Sequence, residues 1–219
     1  MSRSPFDPTI DRLPRILPIF PLGGALLLPG GRLPLNIFEP RYLAMIQDSL
    51  KGERTIGMVQ PREGEETAAA PALYRLGCAG RIVSFDETED GRYHIALSGL
   101  CRFEIVEELA PQNGYRRVVP DFAPYYDDVK SAADGSIERD SLIACVRSYF
   151  KLHNINADWK AIEAASDERL VTTLAMACPF EPSEKQAILE ARDLAERGRV
   201  MTTLFEMAVL GRRSGEARH

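Results

Sequence analysis

Cysteine is scarce and scattered in this chain. Cys78, Cys101, Cys145 and Cys178 form no CxxC pair, and no histidine stands at ligand spacing beside any of them, so no metal site is expected. Each thiol sits among apolar neighbours, as in AMACPF, which reads as buried and reduced and suits a reducing cytoplasm. No apolar run approaches the roughly 18 to 20 residues that a membrane-spanning helix needs, and MSRSPFDPTIDRLPR lacks the apolar core of a signal peptide. The expectation is a cytoplasmic protein with no membrane partner. Basic excess is missing as well: residues 1–120 carry 14 basic against 15 acidic side chains and residues 121–219 carry 13 against 17, whereas phosphate-backbone binding leaves a positive balance.

The chemistry of catalysis is also thin. A phosphate-binding loop needs GxxxxGK[ST], and no lysine here follows a glycine, so Gly23-Gly24 and Gly30-Gly31 read as turns. The nearest string to GxSxG is Leu97-Ser98-Gly99, without the leading glycine. His94 shares its strand but stands on the order of 13 Å from Ser98, too far for a hydrogen bond. His153 falls at a helix C-terminus, where an imidazolium complements the dipole. The acidic runs DETED and ERD read as solvated turns. No cofactor is expected, and the chain is read as a non-enzyme.

What is present is a strand-rich first half and a helix-rich second half. RILPIF, GGALLLPGGRLPLNIF, TIGMVQ, LYRLGCAGRIVSF, YHIALSGLCRFEIV and YRRVVP are short segments rich in β-branched or aromatic residues, separated by Gly, Pro or Asn turns. Tyr93, Ile95 and Leu97 alternate with His94, Ala96 and Ser98, as strand faces require. One helix interrupts the strands, from Pro40 to Leu50, with Leu43, Ile46 and Leu50 at helical spacing, Pro40 in its first turn and Gly52 at its stop. Pro61 to Ala72 reads as a loop. Past residue 125 the pattern becomes helical. Leu142, Val146, Tyr149 and Phe150 mark one face, Asp158 opens a helix with Trp159 and Ile162 inward, and Ser166 caps another with Leu170, Val171 and Leu174 inward. Ser183 with Gln186, and Asp193 with Glu196, have capping-box spacing.

The string LPIFPLGGALLLPGGRLPLNIFEPRYLAMIQDSL, Leu17 to Leu50, resembles the start of the N-terminal substrate-binding domain of the Lon protease family. It carries PxFPL, a Pro-Gly turn, LPLxIFEPRY and an amphipathic helix in that order. GCAGRIVSF, LSGLCRFEIV and PFEPSEKQAILEARDLAERGRVMTTLFEM resemble the strands and helices that follow. The resemblance implies an α+β fold, a PUA-like β pseudobarrel with one inserted helix followed by a C-terminal helical bundle. The expected boundaries are a barrel over 13–124, a linker over 125–138 and a bundle over 139–211, with flexible ends at 1–12 and 212–219. It also implies a stand-alone member without the family's ATPase and peptidase domains.

By that resemblance the expected function is a non-catalytic polypeptide-binding or adaptor module linked to protein quality control, its partners being unfolded or exposed polypeptide segments and a separate protease or chaperone. A segment adds to a sheet edge or lies in the groove between barrel and bundle. Phe85, Tyr93 and Phe103, aromatics on strands, are the candidate groove residues. Phe38, Glu39, Pro40, Arg41 and Tyr42 read as a structural corner: Pro40 fixes the bend, Glu39 complements the helix terminus, Arg41 pairs with a nearby carboxylate, and Phe38 and Tyr42 pack around it. The alternative is an RNA-binding PUA-like module using Arg15, Arg32, Arg116 and Arg117, which the acidic balance disfavours.

Overall fold

Six strands precede all but one of the longer helices in the computed structural model, which describes residues 9–64, 70–130 and 136–216. They are β1 (Leu17–Pro21), β2 (Arg32–Ile37), β3 (Thr55–Val59), β4 (Leu76–Glu87), β5 (Tyr93–Gln112) and β6 (Tyr115–Asp121), with helix α1 (Pro40–Lys51) between β2 and β3. Of the expected flexible ends, residues 1–8 and 217–219 lie outside the described residues, as do 65–69 of the Pro61–Ala72 loop and 131–135 of the linker.

The sheet closes through β5. That strand pairs with β4 over most of its length, with β2 through Tyr93–Ser98 and with β6 from Glu104 onward. β1 joins β3 in parallel and β6 antiparallel, so β5, β4, β3, β1 and β6 form a ring and β2 is left on its outside. Closing a sheet removes edges; among the described residues the outer side of β2, one side of β4 over 83–87 and one side of β5 over 106–112 keep no strand partner.

The ring packs around Phe103. Its ring occupies the space that side chains at Gly57 and Gly77 would need, since a Cβ there would come within 2.7 and 2.9 Å of it. Leu17, Ile19, Val59, Cys101 and Val118 complete that cluster. A second, larger cluster runs from Phe20, Ile46 and Leu97 on the barrel to Leu142, Tyr149, Leu170, Ile188 and Phe205 on the helices, so the two halves share one core.

The helical half comprises α2 (Asp127–Lys130), α3 (Arg139–Leu152), α4 (Trp159–Ala164), α5 (Asp167–Ala177), α6 (Pro182–Glu190) and α7 (Leu194–Glu216). The faces expected for α3 and α5 are buried as read. Asp158 and Ser166 cap α4 and α5 by accepting from the Ala161 and Arg169 N–H groups. His153 is the C-cap of α3, its ring 4.2 Å from that of Tyr149.

Four expectations are corrected. The helix read at Ser183 with Gln186 starts two residues earlier, with Pro182 in its first turn and Glu181 as N-cap, and the Glu181 N–H donates to Glu184; Gln186 is buried at the seam between barrel and helices instead. The segment Gly23 to Gly31 is not strand: Leu26, Leu27 and Leu28 are buried in an irregular loop, because two Gly-containing turns break its ladder. The interval after residue 125 carries the short helix α2. The C-terminal tail is helical to Glu216, since GRRSGE has no proline to stop α7.

The seam between barrel and bundle is closed. Arg102 on β5 is 5% exposed and donates to both carboxylate oxygens of Asp128, at 2.9 Å each, and to the carbonyls of Leu189, Ala191 and Arg192. Gln186 donates to the Leu76 carbonyl, Gln60 to that of Pro182 and Lys185 to that of Gly24. Arg197, beside Arg102, donates to the Ile188 carbonyl, and burial draws its pKa down to about 10. The groove expected between barrel and bundle is filled by these groups and by the shared core.

Candidate functional site

The open groove lies on the barrel itself, at the strand-to-helix corner. It has a volume of about 320 Å³ and is walled by Phe20, Leu22 and Gly23 at the end of β1, by Pro34, Leu35 and Asn36 of β2, by the corner residues, and by Gly114, Tyr115 and Arg116 at the start of β6. Pro61 and Pro71 close its far side.

Local chemistry builds the corner as the sequence suggested. Pro40 pushes Glu39 to an extended conformation, with φ −72° and ψ 133°, and occupies the first turn of α1, where its missing N–H costs nothing. Glu39 accepts from Arg41 at 2.8 Å. The Arg41 guanidinium also lies over the Tyr42 ring, 4.5 Å from its centre. Tyr42 is buried against Phe20 with ring centres 4.2 Å apart, and burial raises its phenol pKa. Phe38 departs from expectation. It is 61% exposed at the groove rim and packs around nothing on the corner, because Ile37, the residue before it, takes the inward position that ends β2; its neighbour is the Arg92 guanidinium, 5.8 Å from the ring centre.

The floor is held from α1. Asp48 accepts from Asn113 at 2.8 Å, from the Tyr115 hydroxyl at 3.1 Å and from Gln112 at 3.4 Å. The Asn113 hydrogen bond leads the effects that hold its carboxyl below its ordinary value. Asn113 and Gly114 have φ of 49° and 85°, the pattern of a tight primed hairpin turn, and the turn lies so close to the helix that a Cβ at Gly114 would meet Arg41 Cβ at 3.2 Å.

The three expected groove aromatics do not line this groove. Phe103 is fully buried and packs on Phe122 with ring centres 5.9 Å apart. Tyr93 is 6% exposed and its hydroxyl accepts from the Gln47 amide at 2.6 Å. Phe85, 42% exposed, stands edge-on to Tyr93 at 4.9 Å on the β4 side of the sheet. Phe103 and Tyr93 are core because alternation along a strand separates two faces without saying which one a closed barrel buries. The residues missed are Leu22, Pro34, Leu35, Asn36 and Tyr115. Pro34 was the available signal, since proline inside a strand marks an edge.

Two of the four arginines named for an RNA patch are engaged. Arg116 grips both carboxylate oxygens of Glu108 at 2.6 Å and donates to the Pro71 carbonyl. Arg117 donates to the Ala110 carbonyl and to Gln112. Among the described residues no three His, Cys, Asp or Glu side chains gather as metal ligands, and no helix is long and apolar enough to cross a membrane.

A barrel with one inserted helix, a helical half docked on it and a groove beside the inserted helix define an α+β domain. The chain belongs to the ATP-dependent protease La (LON) substrate-binding domain family, whose family model matches residues 16–206. Lon protease 2 of Myxococcus xanthus is 30% identical over 201 residues, which cover 89% of this chain and 24% of that protein. Lon protease of Heliobacterium modesticaldum is 28% identical over the same coverage of each chain. The chain thus spans about a quarter of the length of the curated relatives it matches. Among solved structures, the N-terminal domain of Mycobacterium avium complex Lon protease superposes with a TM-score of 0.61 at 16% identity, covering 87% of this chain and 98% of that one. The Lon N-terminal domain protein from Xanthomonas campestris gives 0.56 at 24% identity, covering 83% and 94%. At these identities the likeness is one of fold.

Proposed function

We propose that the chain is a non-catalytic module that holds exposed apolar segments of other polypeptides in the groove at the IFEPRY corner, and presents them to a separate protease or chaperone. The observation that carries the reading is the groove's composition. Phe20, Leu22, Leu35 and Phe38 offer apolar surface, and Phe38 keeps more than half of its own area in water. Keeping a phenylalanine that exposed is unfavourable by on the order of 1 kcal/mol, and a ligand that covers it recovers that energy.

The corner therefore has two roles. Pro40 and the Glu39–Arg41 pair fix the chain direction, and the same geometry delivers Phe38 to the rim. The RNA reading is not taken up, because Arg116 and Arg117 already spend their donors on protein oxygens.

The test is a fluorescence titration of a reduced, unfolded model polypeptide against the wild-type chain and Phe38→Ala. Saturable binding in the range of tens of micromolar or tighter, weakened several-fold in Phe38→Ala at unchanged melting temperature, supports the reading. Equal binding by both proteins places the site elsewhere, and no binding removes the function.

A further inference from the structure

We infer that the groove takes its ligand as an added β-strand along the outer edge of β2, with Asn36 as the residue that sets register. The inference rests on the polypeptide-holding function proposed above and specifies how the segment is recognised.

Pro34, Leu35 and Asn36 are consecutive and all line the groove. Successive side chains of a strand point to opposite faces, so three in a row border one groove only where it runs along the strand's edge and meets the main chain. Among the described residues β2 pairs with β5 alone, which leaves that edge facing the groove.

The parity of the ladder says which groups face it. The Gly99 N–H donates to the Gly31 carbonyl at 2.9 Å, and the Gly30 N–H to the Gly99 carbonyl at 3.0 Å. Bonded pairs in an antiparallel ladder recur at every second residue, and the register continues from Gly31 opposite Gly99 through Leu33 opposite Leu97 and Leu35 opposite Ile95. Leu33, Leu35 and Ile37 therefore spend their N–H and C=O groups on β5, and Arg32, Pro34 and Asn36 turn theirs outward. Pro34 fits this parity, since its missing N–H falls on the free side.

The outward pattern is uneven. Asn36 presents a donor and an acceptor, while Pro34 presents an acceptor only. Its chemical complement is an extended main chain, which repeats donor and acceptor at the same two-residue interval.

Charge settles what that chain carries. Every charged residue lining the groove already has an opposite partner, Glu39 with Arg41 at 2.8 Å and Arg116 with Glu108 at 2.6 Å. Within the lining a charged ligand side chain meets no spare counter-ion, Arg32 standing outside it at the start of β2, and an apolar one meets Phe20, Leu22, Leu35 and Phe38. The occupant is an extended apolar segment of another polypeptide.

The test titrates the full chain with a labelled, uncharged peptide of about eight residues, and with two versions N-methylated at alternate residues in opposite phases. One phase removes the N–H groups that pair with Asn36 and Pro34 and is expected to weaken binding about tenfold, while the other phase stays near the unmodified peptide. Asn36→Pro is expected to weaken binding by a similar factor with the β5 ladder intact, and Asn36→Ala, which keeps the main-chain donor, to leave it nearly unchanged. The methylated peptides read the same property should Asn36→Pro not fold. Equal binding in both phases overturns strand addition and leaves the holding function standing. No binding by the unmodified peptide overturns both. A dimer in sedimentation that Asn36→Pro dissociates, with peptide affinity unaltered, assigns the edge to a second copy and also overturns the inference.

Discussion

The barrel meets the world at two places, the seam with the helices and the groove beside α1, and the two treat polar groups in opposite ways. At the seam each buried donor is matched: Arg102 alone reaches Asp128 and three carbonyls, and Lys185 and Gln186 end on main-chain oxygens. At the groove the charged side chains are matched, but the outer main-chain edge of β2 and the Phe38 ring are left to solvent. A network whose donors are matched, with Gln60 Oε1 the one buried side-chain oxygen left over among the described residues, fixes one geometry, whereas an open edge beside apolar surface accepts many sequences. The seam makes the two halves one body, and the groove is the part proposed to bind.

Breaking the seam should have the largest consequence. Arg102→Ala leaves Asp128 buried without its partner, and loss of one member of a buried pair costs about 3–5 kcal/mol; urea unfolding of the variant measures it. The matching change at the groove, Arg41→Ala, breaks a pair whose side chains are about 40% exposed and should cost under about 1 kcal/mol. Comparable losses in the two variants would erase the contrast.

The aromatics sharpen it in the same way. Phe103→Ala empties the centre of the ring and should cost about 3–5 kcal/mol, and Phe85→Ala about 0.5 kcal/mol or less, both read from thermal melts. A smaller effect belongs to the groove floor. Gly114→Ala asks an L-residue to hold φ 85° against Arg41, a strain of about 1–2 kcal/mol, and it should weaken peptide binding through displacement of Tyr115.

The smallest effect depends on pH. Asp48 has a folded-state pKa below its ordinary 3.8, chiefly through the Asn113 hydrogen bond. A depressed carboxylate pKa gives stability that is fully present above the unfolded value and is lost as pH falls through the folded one. The wild type should therefore exceed Asp48→Asn in stability at neutral pH, and the gap should close as melts are taken below pH 3.8. A gap that widens on acidification would contradict the assignment.

Local signals in the sequence carried much of this architecture. Pro40 and Gly52 bounded α1, Ser166 and Asp158 capped their helices, and the faces of α3 and α5 followed from spacing, because each depends on residues within one or two turns. Failures came where the answer depends on distant partners. Leu26 to Leu28 have strand composition, but their ladder never forms. Phe103 and Phe38 are both aromatics at strand positions or strand ends, and only ring closure by β5, which also pairs with β2 residues about 56 to 66 positions away, makes one the core and the other the rim. The edge itself had a local marker in Pro34. Its bearing on binding needed the ladder parity that Gly31 and Gly99 set.

The most direct test of the account is hydrogen exchange of the full chain with and without a saturating apolar peptide. The account predicts new protection at the Asn36 amide, with Phe38 to Tyr42 slowed beside it and the α6–α7 corner around Arg102 unchanged. Protection at the seam, or binding that leaves the β2 amides exchanging as before, would contradict it.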